Sequence, residues 1–146
     1  MGTLSLPASG SVYVDANAVI YAVEKIEPYS SLLTPLWLAA QAGRLQILTG
    51  EITWLETLVK PLREGNAPLE ALFRAFLTTR EVRLIPATLA TWEHAARLRV
   101  LGLKTPDALH AATALESGCA LFVTNDTGFR RVPSLPVVVL SELLGP

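Results

Sequence analysis

Cysteine is nearly absent from this chain. Cys119 stands alone among 146 residues, so no intramolecular disulfide can form and a cysteine-based zinc site has no ligand set. Histidine is scarce as well: His94 and His110 do not stand at H-x-x-x-H spacing, which argues against a zinc hydrolase. Neither common glycine-rich phosphate loop is present, and the lack of G-x-S-x-G argues against a serine hydrolase. No stretch approaches the roughly 18 uninterrupted apolar residues of a membrane span. The N-terminus also lacks a basic region followed by an apolar run. A cytoplasmic protein without membrane association is the expectation. Charge of one sign is missing too: the net charge is −1, so any nucleic acid must be met by local arginines rather than by a global field.

What the chain has in quantity is apolar surface. Hydrophobic residues make up 51% of it, more than a small core needs. A dense α/β interior and an apolar face for a partner are both expected, since surplus exposed apolar surface usually marks an interface. A length of 146 residues falls in the range of one domain, roughly 100–200 residues. The expected unit is 1–146, with residues 1–10 a loose lead-in. Acidic residues are divided unevenly, ten Glu against only Asp15, Asp107 and Asp126. Glutamate does the solvating, and aspartate is kept for particular places.

Period-2 runs alternate with 3.6-period segments along the chain. Ser11–Val14 reads as a strand that passes through Asp15 into a helix ending near Glu24. Ser30–Ala42 reads as a helix stopped by Gly43, and Leu45–Leu48 as a second strand. From Thr53 a helix runs to about Glu64, with Pro61 expected to kink or end it. Its apolar stripe is Ile52, Leu55, Leu58 and Val59. The next amphipathic helix, Ala67–Thr79, gathers Leu69, Leu72, Phe73, Phe76 and Leu77 on one side. Val82–Ile85 is a third strand and Thr88–Leu101 a helix closed by Gly102. A further helix starts at Thr105-Pro106-Asp107, with Thr105 as cap and Pro106 at the first helical position, and runs to Glu116. Ala120–Val123 and Val137–Leu140 complete a mostly parallel sheet of about five strands, flanked by helices in three layers. Such sheets carry their sites beyond the carboxyl ends of the strands, where Asp15 and Asp126 fall.

Taken singly, each candidate acid has an ordinary explanation. Asp15 and Asp126 fit helix caps or turns. Asp107 suits the dipole of its helix, an effect of roughly 0.3–1 kcal/mol. Glu56 borders an apolar stripe as many surface acids do, and Glu51 is a rival to it. His94 and His110 read as packing or surface residues.

Taken in order, the blocks VYVDANAVIYA, EITWLETLVKPLREGN, AARLRVLGLKTPDALHAATALESGC and LFVTNDTGF resemble the signature blocks of PIN-domain proteins. The resemblance points in particular to VapC-type toxins of bacterial and archaeal toxin–antitoxin pairs, and spans about Val12 to Leu140. It implies a three-layer PIN-like fold and a ribonuclease whose acidic quartet is Asp15, Glu56, Asp107 and Asp126. Asn17 and Thr124 match positions near such sites, and Gly50 stands where a serine is common. An antitoxin partner and a homodimer are implied by the same resemblance.

Four carboxylates gathered together repel one another unless a hard cation joins them. Oxygen-only donors suit Mg²⁺ or Mn²⁺. The expected reaction is hydrolysis of RNA, with the metal held by Asp15, Asp107, Asp126 and Glu56, the last either a ligand or the group that orients the attacking water. Arg130 and Arg131, close after Asp126, are candidates for holding the RNA backbone. Two alternatives remain open from the residues: a catalytically weak interaction module that dimerises and binds an antitoxin, and a nuclease that cuts DNA. A phosphatase with paired aspartates is argued against by Asn17 in the second position and by the absence of any lysine after Lys104.

Overall fold

The structure is a computed structural model that describes residues 2–145; Met1 and Pro146, the ends of the expected 1–146 domain, lie outside the described residues. Five strands form one parallel sheet: β1 Ser11–Val14, β2 Gln46–Gly50, β3 Val82–Ile85, β4 Leu121–Thr124 and β5 Val137–Val139. Their order is β3-β2-β1-β4-β5. The first strand is therefore central, paired with β2 through Val12–Ile47 and with β4 through Val12–Leu121. The six helices are α1 Ala16–Val23, α2 Tyr29–Gln41, α3 Ile52–Glu64, α4 Ala67–Leu77, α5 Leu89–Arg99 and α6 Thr105–Ser117. This is the expected three-layer α/β architecture, and none of the described helices is long and apolar enough to cross a membrane.

Alternation along β1 sorts the two sides of the sheet. Val12 and Val14 enter a core built with Leu33 and Leu36 of α2, Leu58 of α3 and Phe73 and Leu77 of α4. Tyr13, between them, points to the opposite core with Phe122 of β4 and α5–α6. Ala108, Ala111, Ala112 and Ala114 of α6 are fully buried. Small side chains let that helix lie close on the sheet, as the ALHAATAL stretch implies.

Several boundaries and faces differ from the sequence expectation. The buried residues of α3 are Thr53, Thr57, Leu58 and Pro61, whereas Leu55 is 62% exposed and Val59 38%. The threonines tolerate burial because their hydroxyls are bonded: Thr57 Oγ1 donates to the Thr53 carbonyl at 2.8 Å, and Thr53 meets Thr49 at 2.6 Å. The helix continues past Pro61 to Glu64 and is ended by Gly65, whose φ of 64° few other residues adopt without strain. In α4 Phe73 and Leu77 are buried but Leu72 is outside the stripe, 55% exposed. Lys104, not Thr105, is the N-cap of α6 and provides no side-chain bond. The lead-in has no helix or strand before β1 and is anchored at two points: Leu4 is buried in the core and the Gly2 amide donates to the Leu143 carbonyl at 2.6 Å.

Candidate metal and active site

At the carboxyl end of β1 the chain turns from strand to helix, and Asp15 is the residue at the turn. Its Oδ1 accepts the Ala18 amide at 3.1 Å, closing the first turn of α1 as a helix cap does. Its Oδ2 accepts the Thr124 hydroxyl at 2.5 Å. The carboxylate is only 4% exposed. Burial pushes its pKa upward, opposed by the nearby His110 and by the two hydrogen bonds, and reinforced by Glu56.

Thr124 ends the neighbouring strand and works in two directions. While its hydroxyl donates to Asp15, its oxygen accepts the Asp126 backbone amide at 3.1 Å. One buried side chain thus ties Asp15 to the turn that carries Asp126. Asp126 itself receives the Gly128 amide on Oδ1 at 2.8 Å and starts a short 3-10 helix, Thr127–Arg131. The cap reading of Asp15 and Asp126 was therefore correct as local structure, and it leaves room for a second role.

Asp107 lies in the first turn of α6, half-buried, and faces Asp126 across a pocket of about 270 Å³ lined also by Gly102, Leu103, Lys104, Gly128 and Arg131. Its pKa is raised, first by burial and next by the charge of Asp126, with Glu56 adding to the rise and His110 and Lys104 opposing it. Among the described residues Asp107 makes no side-chain hydrogen bond.

The fourth acid, Glu56, comes from one turn into α3 and is held by a residue that composition gave no reason to single out. His110 Nε2 stands 2.7 Å from Glu56 Oε1, and His110 Nδ1 stands 2.6 Å from the Tyr13 hydroxyl. The Tyr13 oxygen in turn accepts the Gly50 amide at 2.9 Å. Tyr13 is fully buried, and burial pushes its phenol far above the ordinary range, so it keeps its proton. Gly50 explains itself here: a Cβ at that position would come within 2.9 Å of the Tyr13 oxygen. The missing serine side chain is thus space taken by a tyrosine hydroxyl. Two signals in the sequence could have found this chain. His110 follows Asp107 by three residues, which places both on one face of α6, and a tyrosine between two valines of a buried strand must find a polar partner.

The remaining candidates separate. Asn17 is exposed on α1 and makes no side-chain bond among the described residues. Glu51 accepts the Ala87 amide at 3.0 Å, tying the start of α3 to the segment before α5. Arg130 is turned to Glu142, its guanidinium gripping that carboxylate with both terminal nitrogens. Arg131 lines the pocket of Asp107 and Asp126 and donates to the Gly102 carbonyl at 3.3 Å.

A hard cation suits the chemistry of these donors. Among the described residues no three His, Cys, Asp or Glu side chains converge tightly enough to enclose an ion. A cation that keeps much of its water shell asks for less, one or two carboxylates held directly. Asp107 and Asp126, opening on one pocket beside the buried Asp15, meet that requirement.

The PIN domain family pattern matches residues 12–135 of the chain. A comparison with curated proteins finds no match. Among solved structures, VapBC2 from Rickettsia felis bound to a promoter DNA fragment is 20% identical with a TM-score of 0.73, covering 88% of this chain and 98% of that one. A toxin–antitoxin complex from Klebsiella pneumoniae is 24% identical with a TM-score of 0.67, covering 88% and 96%. VapC20 of Mycobacterium tuberculosis, a toxin that cleaves the sarcin–ricin loop, is 18% identical with a TM-score of 0.67, covering 82% and 92%. At these identities the neighbours share the fold, while the family match covers most of the sequence: the chain belongs to the PIN-domain family.

Proposed function

We propose that this PIN domain is a metal-dependent ribonuclease and the toxin of a toxin–antitoxin pair. What supports this reading is a set of links among acids from four separate segments: Asp15 and Asp126 are tied through Thr124, Asp107 and Asp126 line one pocket, and Glu56 is bonded to His110 of the same helix as Asp107. Toxin–antitoxin neighbours of the same fold support the biological setting.

Asp15, Asp107 and Asp126 would hold Mg²⁺ or Mn²⁺, directly or through water, with Glu56 either a further ligand or the group that orients the attacking water. The cation supplies positive charge against the phosphate and lowers the pKa of water, the usual contribution of such ions to phosphodiester hydrolysis. Each residue has its own task. Thr124 fixes the Asp15 carboxylate and the turn of Asp126. Glu56, with Oε1 committed to His110, has Oε2 free of protein partners among the described residues and able to align a water for attack on phosphorus. Arg131 and Lys104 line the same pocket and suit a backbone phosphate. Arg130, engaged by Glu142, is the weaker half of the expected arginine pair. Single-stranded or looped RNA is the expected substrate, because its phosphates are free to enter such a pocket.

Exposed apolar side chains give the partners their surface. Leu55, Val59 and Leu62 lie on α3 and Leu72 on α4, while Leu89 and Trp92 stand out from α5. An antitoxin and a second copy of the chain are the occupants this reading assigns to such faces.

Asp126→Asn tests the function. The amide can still accept the Gly128 amide, so the variant is expected to keep its fold by circular dichroism. Its Mn²⁺-dependent cleavage of a looped RNA should fall by more than the ~10–100-fold typical of losing a supporting contact. Undiminished cleavage by the variant, or wild-type cleavage that persists in EDTA, would remove the metal-nuclease reading.

A further inference from the structure

The buried line Gly50–Tyr13–His110–Glu56 is satisfied by one continuous run of donors and acceptors. The Gly50 amide can only donate, so the Tyr13 oxygen accepts from it at 2.9 Å. The single Tyr13 O–H hydrogen is then directed at His110 Nδ1, 2.6 Å away. With Nδ1 accepting, the ring hydrogen sits on Nε2 and is donated to Glu56 Oε1 at 2.7 Å. In that neutral tautomer the line runs from a backbone amide at the end of β2, through a tyrosine and a histidine on α6, to a carboxylate on α3.

The arrangement is tightly held at its inner end and open at its outer end. Tyr13 and His110 are 0% and 2% exposed. The tyrosine ring lies flat on Phe122, centroids 5.2 Å apart, and the histidine meets it edge-on at 5.7 Å. The two nitrogens of the histidine ring have different partners, the Tyr13 hydroxyl and Glu56, and these set which way the imidazole faces. Glu56 alone is partly exposed.

We propose that His110 is a positioning residue for Glu56: locked by Tyr13 and the side-chain-free Gly50, it aims the Glu56 carboxylate at the space shared with Asp107. The role rests on the metal-nuclease reading above. It deepens that reading by naming what holds the one acid that lies neither at a strand end nor in the first turn of a helix. A histidine that merely filled space would have no reason to present a donor to this carboxylate.

The test is Mn²⁺ affinity, read by the electron paramagnetic resonance signal of free ion, in wild type, His110→Asn, Glu56→Gln and the double variant. The asparagine amide is too short to reach Glu56. It should weaken Mn²⁺ binding by about 10–100-fold, the usual cost of removing a contact behind a ligand, and should add little in the Glu56→Gln background. His110→Gln, whose amide reaches about as far as Nε2, should restore most of the loss. Tyr13→Phe keeps the ring on Phe122 and should weaken binding severalfold, which covers the case in which the histidine variants do not fold. Wild-type Mn²⁺ affinity together with wild-type RNA cleavage in folded His110→Asn or Tyr13→Phe, or full multiplication of the two losses in the double variant, overturns the positioning role while leaving the nuclease reading intact. A wild-type protein that takes up no Mn²⁺ overturns both.

Discussion

Asp15 and Glu56 are held in opposite ways. Asp15 is pinned by its own neighbourhood, a helix amide three residues on and a hydroxyl from the adjoining strand, and is almost wholly removed from water. Glu56 keeps part of its surface and takes its orientation from a single side chain 54 residues away. The first arrangement is rigid and costs desolvation of a charge. The second costs little at the carboxylate and depends on a buried relay elsewhere. A site assembled from both kinds has a fixed floor and an adjustable wall.

Breaking the fixed side should have the largest effect. Thr124→Val keeps the shape of the side chain but removes the hydroxyl that serves both Asp15 and the Asp126 amide. Its expected cost is about 1–3 kcal/mol of stability for the buried groups left unpaired, with RNA cleavage lowered ~10–100-fold; urea unfolding and a cleavage assay read the two. A Thr124→Val protein with full activity would mean that the link between the two aspartates is idle.

Asp15→Asn sharpens the comparison from the side of charge. Burial raises the pKa of Asp15 and of Asp107 in the folded protein. Between the ordinary carboxylate range and those raised values the folded state binds more protons than the unfolded chain, so metal-free stability falls as pH rises through that window. Above the raised values the deficit stays constant. Metal-free wild type is therefore expected to melt higher in mild acid than at neutral pH. Asp15→Asn should flatten that slope and raise the neutral-pH Tm, by roughly 2–4 °C for each kcal/mol of unfavourable charge removed. Scanning calorimetry across pH in EDTA checks both. An unchanged slope would contradict the burial argument.

The smallest effect belongs to the adjustable side. Glu56→Gln keeps an acceptor for His110 at a partly exposed position, and should alter stability by no more than ~0.5 kcal/mol while lowering cleavage. A large loss of stability in that variant would show that Glu56 is a structural ion rather than a held functional group.

This difference also explains what could be read from sequence. Asp15, Asp107 and Asp126 lie at strand ends or a helix start, and periodicity together with turn chemistry locates those points. The sheet and its flanking helices followed from the same signals. The face of α3 did not, because Thr53 and Thr57 take the buried side expected of Leu55 and Val59, the Thr53 hydroxyl bonded to that of Thr49 on β2 and the Thr57 hydroxyl to the Thr53 carbonyl. Nor did the relay, since a contact between Tyr13 and His110 spans 97 positions and leaves no local pattern. Arg130 follows Asp126 closely in sequence, and its guanidinium pairs with Glu142, a contact 12 positions away that no local pattern announces.

On the proposed reading, carboxylates from four remote segments surround a common divalent-cation site. Mn²⁺ added in small amounts broadens the amide NMR signals of residues near where it binds. The account predicts that signals around Asp15, Glu56, Asp107 and Asp126 broaden together, before any others. Broadening that begins at surface acids such as Glu64, Glu70 or Glu81, with the four spared, would contradict it.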